Sequence, residues 1–243
     1  MDNPNYNRTY FEKSLQRGKI LKKMHGDKWL QYAYWKSYFS RNLGLHKQIL
    51  EVGCGLGFFG RYVHNEFRYF GLDISIDAIV IAKQFQGLTN VFVGDARSLP
   101  FKNNSFLSII AFDMVEHLQN PILFIQEAYR IIEEGGKIVI TTPNVRSFGV
   151  RIKSRSIALK PSMVTDLTHI SLIHREGWIK MIEDAGFKIR RCGTDCLWDI
   201  PYFKNVPQIF QKLLLIPFNM IIFRFFGSLN WMLGENLVIV AEK

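Results

Sequence analysis

A chain of 243 residues, 48% of them hydrophobic, is long enough for one sizeable packed domain and too apolar to be disordered. Its three cysteines, Cys54, Cys192 and Cys196, show neither a zinc-ligand spacing nor a disulfide framework, so no metal site is expected and a reducing cytoplasm fits best. The net charge of +10 is uneven: nine basic against three acidic residues over 1–46, eight against ten over 47–143, and fourteen against eight over 144–243.

Residues 1–46 begin with a polar stretch that lacks the apolar core of a secretory signal. They continue with Tyr32, Tyr34, Trp35, Tyr38 and Phe39, which predict one or two helices capping the domain that follows from 47 to 243. From Lys47 on, short apolar runs predict strands at Gln48–Val52, Tyr69–Leu72, Val91–Val93, Leu107–Phe112 and Lys137–Thr141. Helical segments alternate with them. Asn120 is a suitable N-cap with Pro121 at the first helical position, Ile122, Ile125, Tyr129 and Ile132 make one face, and Gly135-Gly136 ends the helix. Trp178, Met181, Ile182 and Ala185 repeat the pattern, with Gly186 as the stop. This alternation predicts an α/β fold with a doubly wound, mostly parallel sheet and helices on both faces, its ligand at the carboxyl ends of the strands. Two segments fall outside the rhythm, residues 144–170 and 196–234, and both are read as insertions on the acceptor side of the site.

The clearest local signal is Glu51-Val52-Gly53-Cys54-Gly55-Leu56-Gly57 at the end of the first predicted strand. Glycines at alternate positions let the chain turn sharply and let a ligand approach the backbone. By letter, Gly55, Gly57 and Gly60 also satisfy a dinucleotide fingerprint. The glycines, however, begin directly after the strand, and Glu51 lies within its end. A carboxylate there suits a cationic ligand such as S-adenosylmethionine, with its ammonium and sulfonium, better than a pyrophosphate. Asp73 ends the second strand and is placed to accept the hydroxyls of a ribose. Asp95, after the third strand, is placed to accept from an adenine amino group.

With these residues the chain resembles the class I S-adenosylmethionine-dependent methyltransferases, in particular the ubiquinone/menaquinone-biosynthesis type and its small-molecule relatives. The resemblance is strong over Gln48–Asn144 and continues through His169-Ile170, Arg175–Phe187 and Glu235–Lys243. It implies a Rossmann-like sheet of about seven strands with an antiparallel last strand, and S-adenosylmethionine as cofactor. Glu51, Gly53, Cys54, Gly55 and Gly57 match the family's first motif, Asp73 its ribose acid, Ile74 an adenine-packing position and Asp95-Ala96 its adenine-binding pair. Asp113 and Met114 would border the methionine end. His117, in the Glu116-His117 pair, and His169 are the candidate catalytic residues, and each could instead be structural; His174 matches less well.

Expected acceptors are small molecules, sugars or lipid-linked compounds, methylated on oxygen or nitrogen rather than carbon. DNA is excluded on this resemblance: the segment after the fourth strand has neither an Asp/Asn-Pro-Pro-aromatic element nor a Pro-Cys nucleophile. No RNA-recognition module is visible, although the basic flanks keep RNA methylation open. The glycine loop also admits an NAD-dependent oxidoreductase, or a protein that binds S-adenosylmethionine without turning it over. Arg146, Arg151, Lys153, Arg155 and Lys160 predict a basic rim for an anionic acceptor. The apolar stretch around Leu213–Phe223, interrupted by Pro217, Asn219, Arg224 and Gly227, is short for a membrane span. It is read as a lid or homodimer face, or else as a peripheral membrane contact.

Overall fold

The structure, a computed structural model, describes residues 20–43, 47–156 and 158–243, with side chains of the first segment from residue 31 onward. Seven strands form one sheet: β1 (Gln48–Val52), β2 (Arg68–Asp73), β3 (Val91–Val93), β4 (Phe106–Phe112), β5 (Ile132–Pro143), β6 (Lys188–Thr194) and β7 (Asn236–Glu242). Their spatial order is β3-β2-β1-β4-β5-β7-β6. Pairings among β1 to β5 are parallel, and β7 runs antiparallel to both its neighbours. The helices are α1 (Ile20–Leu43), α2 (Phe58–Val63), α3 (Ile76–Gln86), α4 (Pro121–Ile131), α5 (Phe148–Lys153), α6 (Ser162–Thr165), α7 (Arg175–Asp184) and α8 (Gln208–Phe225).

The alternation of side chains along each strand divides the core in two. Leu50 and Val52 of β1, with Ile109 and Ala111 of β4, pack against Phe124, Ile125 and Ala128 of α4 and Trp178 and Ile182 of α7. Ile49 and Ile110, their neighbours in sequence, face the other way onto Trp35 and Phe39 of α1, Phe59 of α2 and Ile79 and Ala82 of α3. Both faces of the sheet are therefore covered, which is why the central strands are apolar throughout. The capping segment contributes to this second core directly: Tyr34, Trp35 and Phe39 are buried in it.

One helix differs from its sequence reading. α4 stops at Ile131, and Ile132 already pairs with Phe106 as the first residue of β5. The early stop gives β5 twelve residues, with Gly135 at a positive φ of 71° inside the strand's first arm and not at a helix end. Tertiary pairing to β4 has overridden the helical period there. Asn120 makes no side-chain capping bond, while Pro121 occupies the first helical turn as expected.

The strand order reverses direction between β1 and β4. From β1 the chain builds outward through β2 to β3, and from β4 outward to β5. The crevice at such a reversal, beyond the carboxyl ends of the strands, is open because the connections leave it to opposite sides.

Candidate active site

A cavity of about 340 Å³ occupies this crevice, within the size range of small-molecule sites. Its wall is assembled from the ends of four strands: Val52, Gly53 and Gly55 after β1; Leu72, Asp73 and Ile74 after β2; Gly94, Asp95, Ala96 and Arg97 after β3; and Asp113, Met114, His117, Leu118 and Gln119 after β4. Ile170, from the insertion before α7, closes one side.

Asp73 in this wall is anchored by two backbone amides. Its Oδ2 accepts from the Gly55 amide at 2.8 Å and its Oδ1 from the Ser75 amide at 2.9 Å. Ser75 caps α3, accepting from Ala78 N. The carboxylate thus fixes the glycine loop against the start of α3 while facing the cavity. Burial pushes its pKa upward, opposed by the amides of Ser75 and Gly55. A Cβ on Gly55 would meet no protein atom within 4 Å, so the loop is open on its cavity side. A Cβ on Gly53 would lie 2.3 Å from Met114 Cγ. Gly53 also has a φ of +77°, so the close approach of the β1 and β4 loops depends on glycine there.

Not every residue of the first motif reaches the cavity. Glu51, Cys54 and Gly57 are absent from its lining. Glu51 is buried, and its Oε2 accepts from Tyr69 Oη at 2.5 Å. The reason is the strand period: Val52 faces the cavity side, so Glu51 points to the opposite face, where Tyr69 lies. Its carboxylate is thus anchored beneath the glycine loop by Tyr69. Cys54 is buried, and its thiol is raised well above its ordinary pKa by burial, then by Glu51 and Asp73. Its side chain packs in the core with Phe59 and Tyr69.

Asp95 lines the cavity but is already engaged. Arg97 Nη2 lies 2.6 Å from Asp95 Oδ2, and Arg97 Nε donates to both carboxylate oxygens. The Arg97 guanidinium holds the Asp95 carboxyl below the usual range. Arg97 was not foreseen, although Asp95-x-Arg97 is a readable pair. Gln119 was also missed, and nothing in its sequence context marks it.

Asp113 has a positive φ of 48°, imposed by its backbone amide donating to Thr141 O and by Thr141 Oγ1 donating to its Oδ1 at 2.8 Å. Thr141 thus braces the β4 loop. Asn144 braces the next layer: its Nδ2 donates to Met232 O and Gly234 O.

The two candidate histidines lie side by side, with ring centroids 4.9 Å apart. His117 lines the cavity, and its Nδ1 is 3.0 Å from Thr168 O. Burial lowers its pKa below the ordinary imidazole value, opposed by its hydrogen bond to Thr168 O. His169 Nδ1 is 2.8 Å from Met163 O. His174 is exposed at the start of α7 and lines neither this cavity nor the next.

His169 borders a second cavity of about 270 Å³, which meets the first at Asp113. Five carboxylates line it: Asp113, Glu116, Asp166, Asp199 and Glu235. The basic residues of the first insertion are elsewhere. Lys153 is buried and paired with Asp199 at 2.7 Å, so it is no part of a rim. Arg146, Arg151 and Arg155 line a separate groove of about 560 Å³ with Phe148 and Leu233.

These features match known proteins. A family model described as a methyltransferase domain matches residues 27–191. A probable S-adenosylmethionine-dependent methyltransferase of Mycolicibacterium smegmatis is 25% identical over 144 residues, 59% of this chain and 52% of the relative. Norajmaline N-methyltransferase of Rauvolfia serpentina is 34% identical over 104 residues, 39% of this chain and 35% of the relative. The chain thus spans about half or less of these relatives. A solved S-adenosylmethionine-dependent methyltransferase from Archaeoglobus fulgidus superposes with a TM-score of 0.62 at 22% identity, covering 96% of this chain and 99% of that one, a likeness of fold. A cavity walled by the glycine loop, Asp73 and the β3 and β4 loops suits the cofactor that this family uses, S-adenosylmethionine, and the chain belongs to the class I S-adenosylmethionine-dependent methyltransferases.

Proposed function

We propose that the chain transfers the methyl group of S-adenosylmethionine to a hydroxyl or amine of a small amphiphilic molecule, at the surface of an anionic membrane. The cofactor supplies an already activated methyl group on its sulfonium, so the protein's task is to bind, orient and exclude water. Asp73 would hold the ribose, Ile74 and Ala96 would flank the adenine, and Asp113 and Met114 would border the methionine end; all five line the cavity. The acceptor's polar end would enter by the second cavity, whose carboxylates accept hydrogen bonds from hydroxyl or ammonium groups. The small-molecule nitrogen acceptor named for the Rauvolfia relative accords with this class of acceptor.

The observation that carries the membrane reading is α8, which buries Gln211, Asn219, Ile222 and Phe223 and leaves most of its other apolar residues exposed. Gln211 is buried and bonds to Tyr202 N, Phe203 O and Val206 O; Asn219 is buried and bonds to Leu197 N and Leu197 O. Both amides are satisfied, so the orientation is built in. Ile209, Phe210, Leu213, Leu214, Ile221 and Phe225 are consequently exposed, Leu214 to 74%. α8 meets the length and composition of a membrane span, but its buried amides tie it to the domain. Residues 200–234 contain Lys204, Lys212 and Arg224 and no acidic residue. An apolar face in a segment that carries three cations and no acid complements an anionic bilayer. The Arg146–Arg151–Arg155 groove is its near neighbour, since Phe148 of α5 contacts Phe203 with ring centroids 6.4 Å apart.

Flotation tests this reading. The protein should rise with phosphatidylglycerol vesicles at low salt, less at high salt, and not with phosphatidylcholine alone. Lys212→Glu with Arg224→Glu should abolish flotation while S-adenosylmethionine binding persists. Absence of flotation at low salt, with a stable dimer in light scattering, would overturn it and assign the face to a second copy. On the membrane reading, labelled methyl groups should also be found in the lipid extract of a membrane incubation, not in its aqueous phase.

A further inference from the structure

We propose that Glu116, His117 and His169 form a binding site for a first-row divalent transition-metal ion at the junction of the cofactor cavity and the acid-lined cavity. Their candidate donor atoms all lie within 4.8 Å of one another. They come from two separate segments, the turn after β4 and the insertion before α7. The insertion is held against that turn by the Ile170 and Ser171 amides donating to Glu116 O, both at 2.9 Å.

The histidine tautomers give the cluster its chemistry. His117 Nδ1 faces Thr168 O and His169 Nδ1 faces Met163 O. A carbonyl oxygen only accepts, so Nδ1 is the donor of each ring, which leaves Nε2 as the candidate ligand atom. A ring nitrogen fixed on a backbone carbonyl, with the second nitrogen coordinating, is the arrangement that orients metal-binding histidines. Glu116 adds a buried carboxylate. Asp166 Oδ2, 3.8 Å from His169 Nε2, and Asp113 both line the same cavity and offer further oxygen donors. Imidazole and carboxylate together favour zinc, manganese, iron or cobalt over calcium. Bonds of about 2.0–2.2 Å require the donors to draw in by roughly 1 Å, a movement within the reach of side-chain rotation.

The position relates the ion to the reaction. His117 borders the cavity that also contains Met114, and His169 borders the carboxylate cavity. An ion between them would seat an acceptor oxygen beside the methionine end of the cofactor, with His117 and His169 serving as ligands rather than bases. That use rests on the methyltransfer reading; ion binding does not.

Cobalt titration separates the two. Chelator-treated, untagged full-length chain titrated with Co²⁺ should develop visible d–d absorption saturating at about one ion per chain, and Zn²⁺ should displace it. His169→Ala, outside the cofactor cavity, should weaken Co²⁺ binding by roughly tenfold or more while calorimetric S-adenosylmethionine affinity stays at the parent value, which also shows that the variant is folded. Glu116→Gln should weaken it likewise, and exposed His174→Ala should leave it unchanged. Absence of the band in the parent chain, or a band unaltered in His169→Ala, would overturn the site. Loss of methyl transfer with the band intact would instead count against the proposed function alone.

Discussion

Asp73→Ala should weaken S-adenosylmethionine binding by roughly 2–4 kcal/mol, the worth of a pair of charge-assisted hydrogen bonds to the ribose. In Kd this is a rise of about thirty-fold to about a thousand-fold. The structure adds a second source of loss. The same carboxylate accepts from the Gly55 and Ser75 amides, so its removal also frees the apex of the glycine loop. Asp73→Asn keeps the size and one acceptor oxygen and should fall between parent and alanine variant. Calorimetry with S-adenosylmethionine and its demethylated product measures the effect, and circular dichroism confirms that the variant is folded. NAD should not bind the parent chain. A folded alanine variant with parental affinity would show that the ribose lies elsewhere.

Asp73 was legible because its signal is local: an acid at a strand end, followed by a serine cap. The glycine loop was legible for the same reason. Glu51 shows what such reading leaves out. Its position in the motif suggested a ligand contact, yet the two-residue period of β1, also present in the sequence, sends Val52 to the cavity side and Glu51 to the face of Tyr69. The first four strands were read nearly to their ends, and the fifth over its central Lys137–Thr141 only, because continuous apolar runs mark the part of a strand covered on both faces. The end of α4 was not, since pairing of Ile132 with Phe106 depends on a segment 26 positions earlier.

The acid-lined cavity could not be read at all. Its carboxylates are scattered from Asp113 to Glu235, and only the fold brings them together. The orientation of α8 was not readable either. Gln211 and Asn219, eight residues apart, share a helix face, and polar residues in an apolar helix ordinarily mark its solvent side. Here the surrounding loops present backbone groups that those amides satisfy, so Gln211 and Asn219 are buried beside Ile222 and Phe223 while Leu213 and Leu214 are exposed. The basic residues were read as one rim, but burial and the Asp199 partner separate Lys153 from the arginines.

Folding stability should fall as pH rises from 5.5 to 7.5, and Asp195→Asn should remove a large part of that slope. Asp195 follows β6 and is buried. Its Oδ1 accepts from Asn236 N at 2.9 Å, and its Oδ2 from Asn236 Nδ2 at 2.9 Å and Trp198 Nε1 at 3.3 Å. Burial outweighs these donors and pushes its pKa up from 3.8 to about 7, with Asp113 and Glu235 adding to the rise. Between those two values the folded chain holds a proton that the unfolded chain has released. The unfolded state therefore binds fewer protons in this window, and stability declines with increasing pH until the folded group has also ionised, above about 7. From pH 5.5 to 7.5 the loss through this one group is roughly 2 kcal/mol. Urea unfolding of parent and Asp195→Asn at half-unit intervals isolates it, because the remaining titrating groups are common to both chains. The stability of the parent relative to the variant should decrease by that amount up to pH 7.5 and then level off. Parallel curves across the range would mean that Asp195 is ionised throughout, its charge already balanced by Asn236 and Trp198.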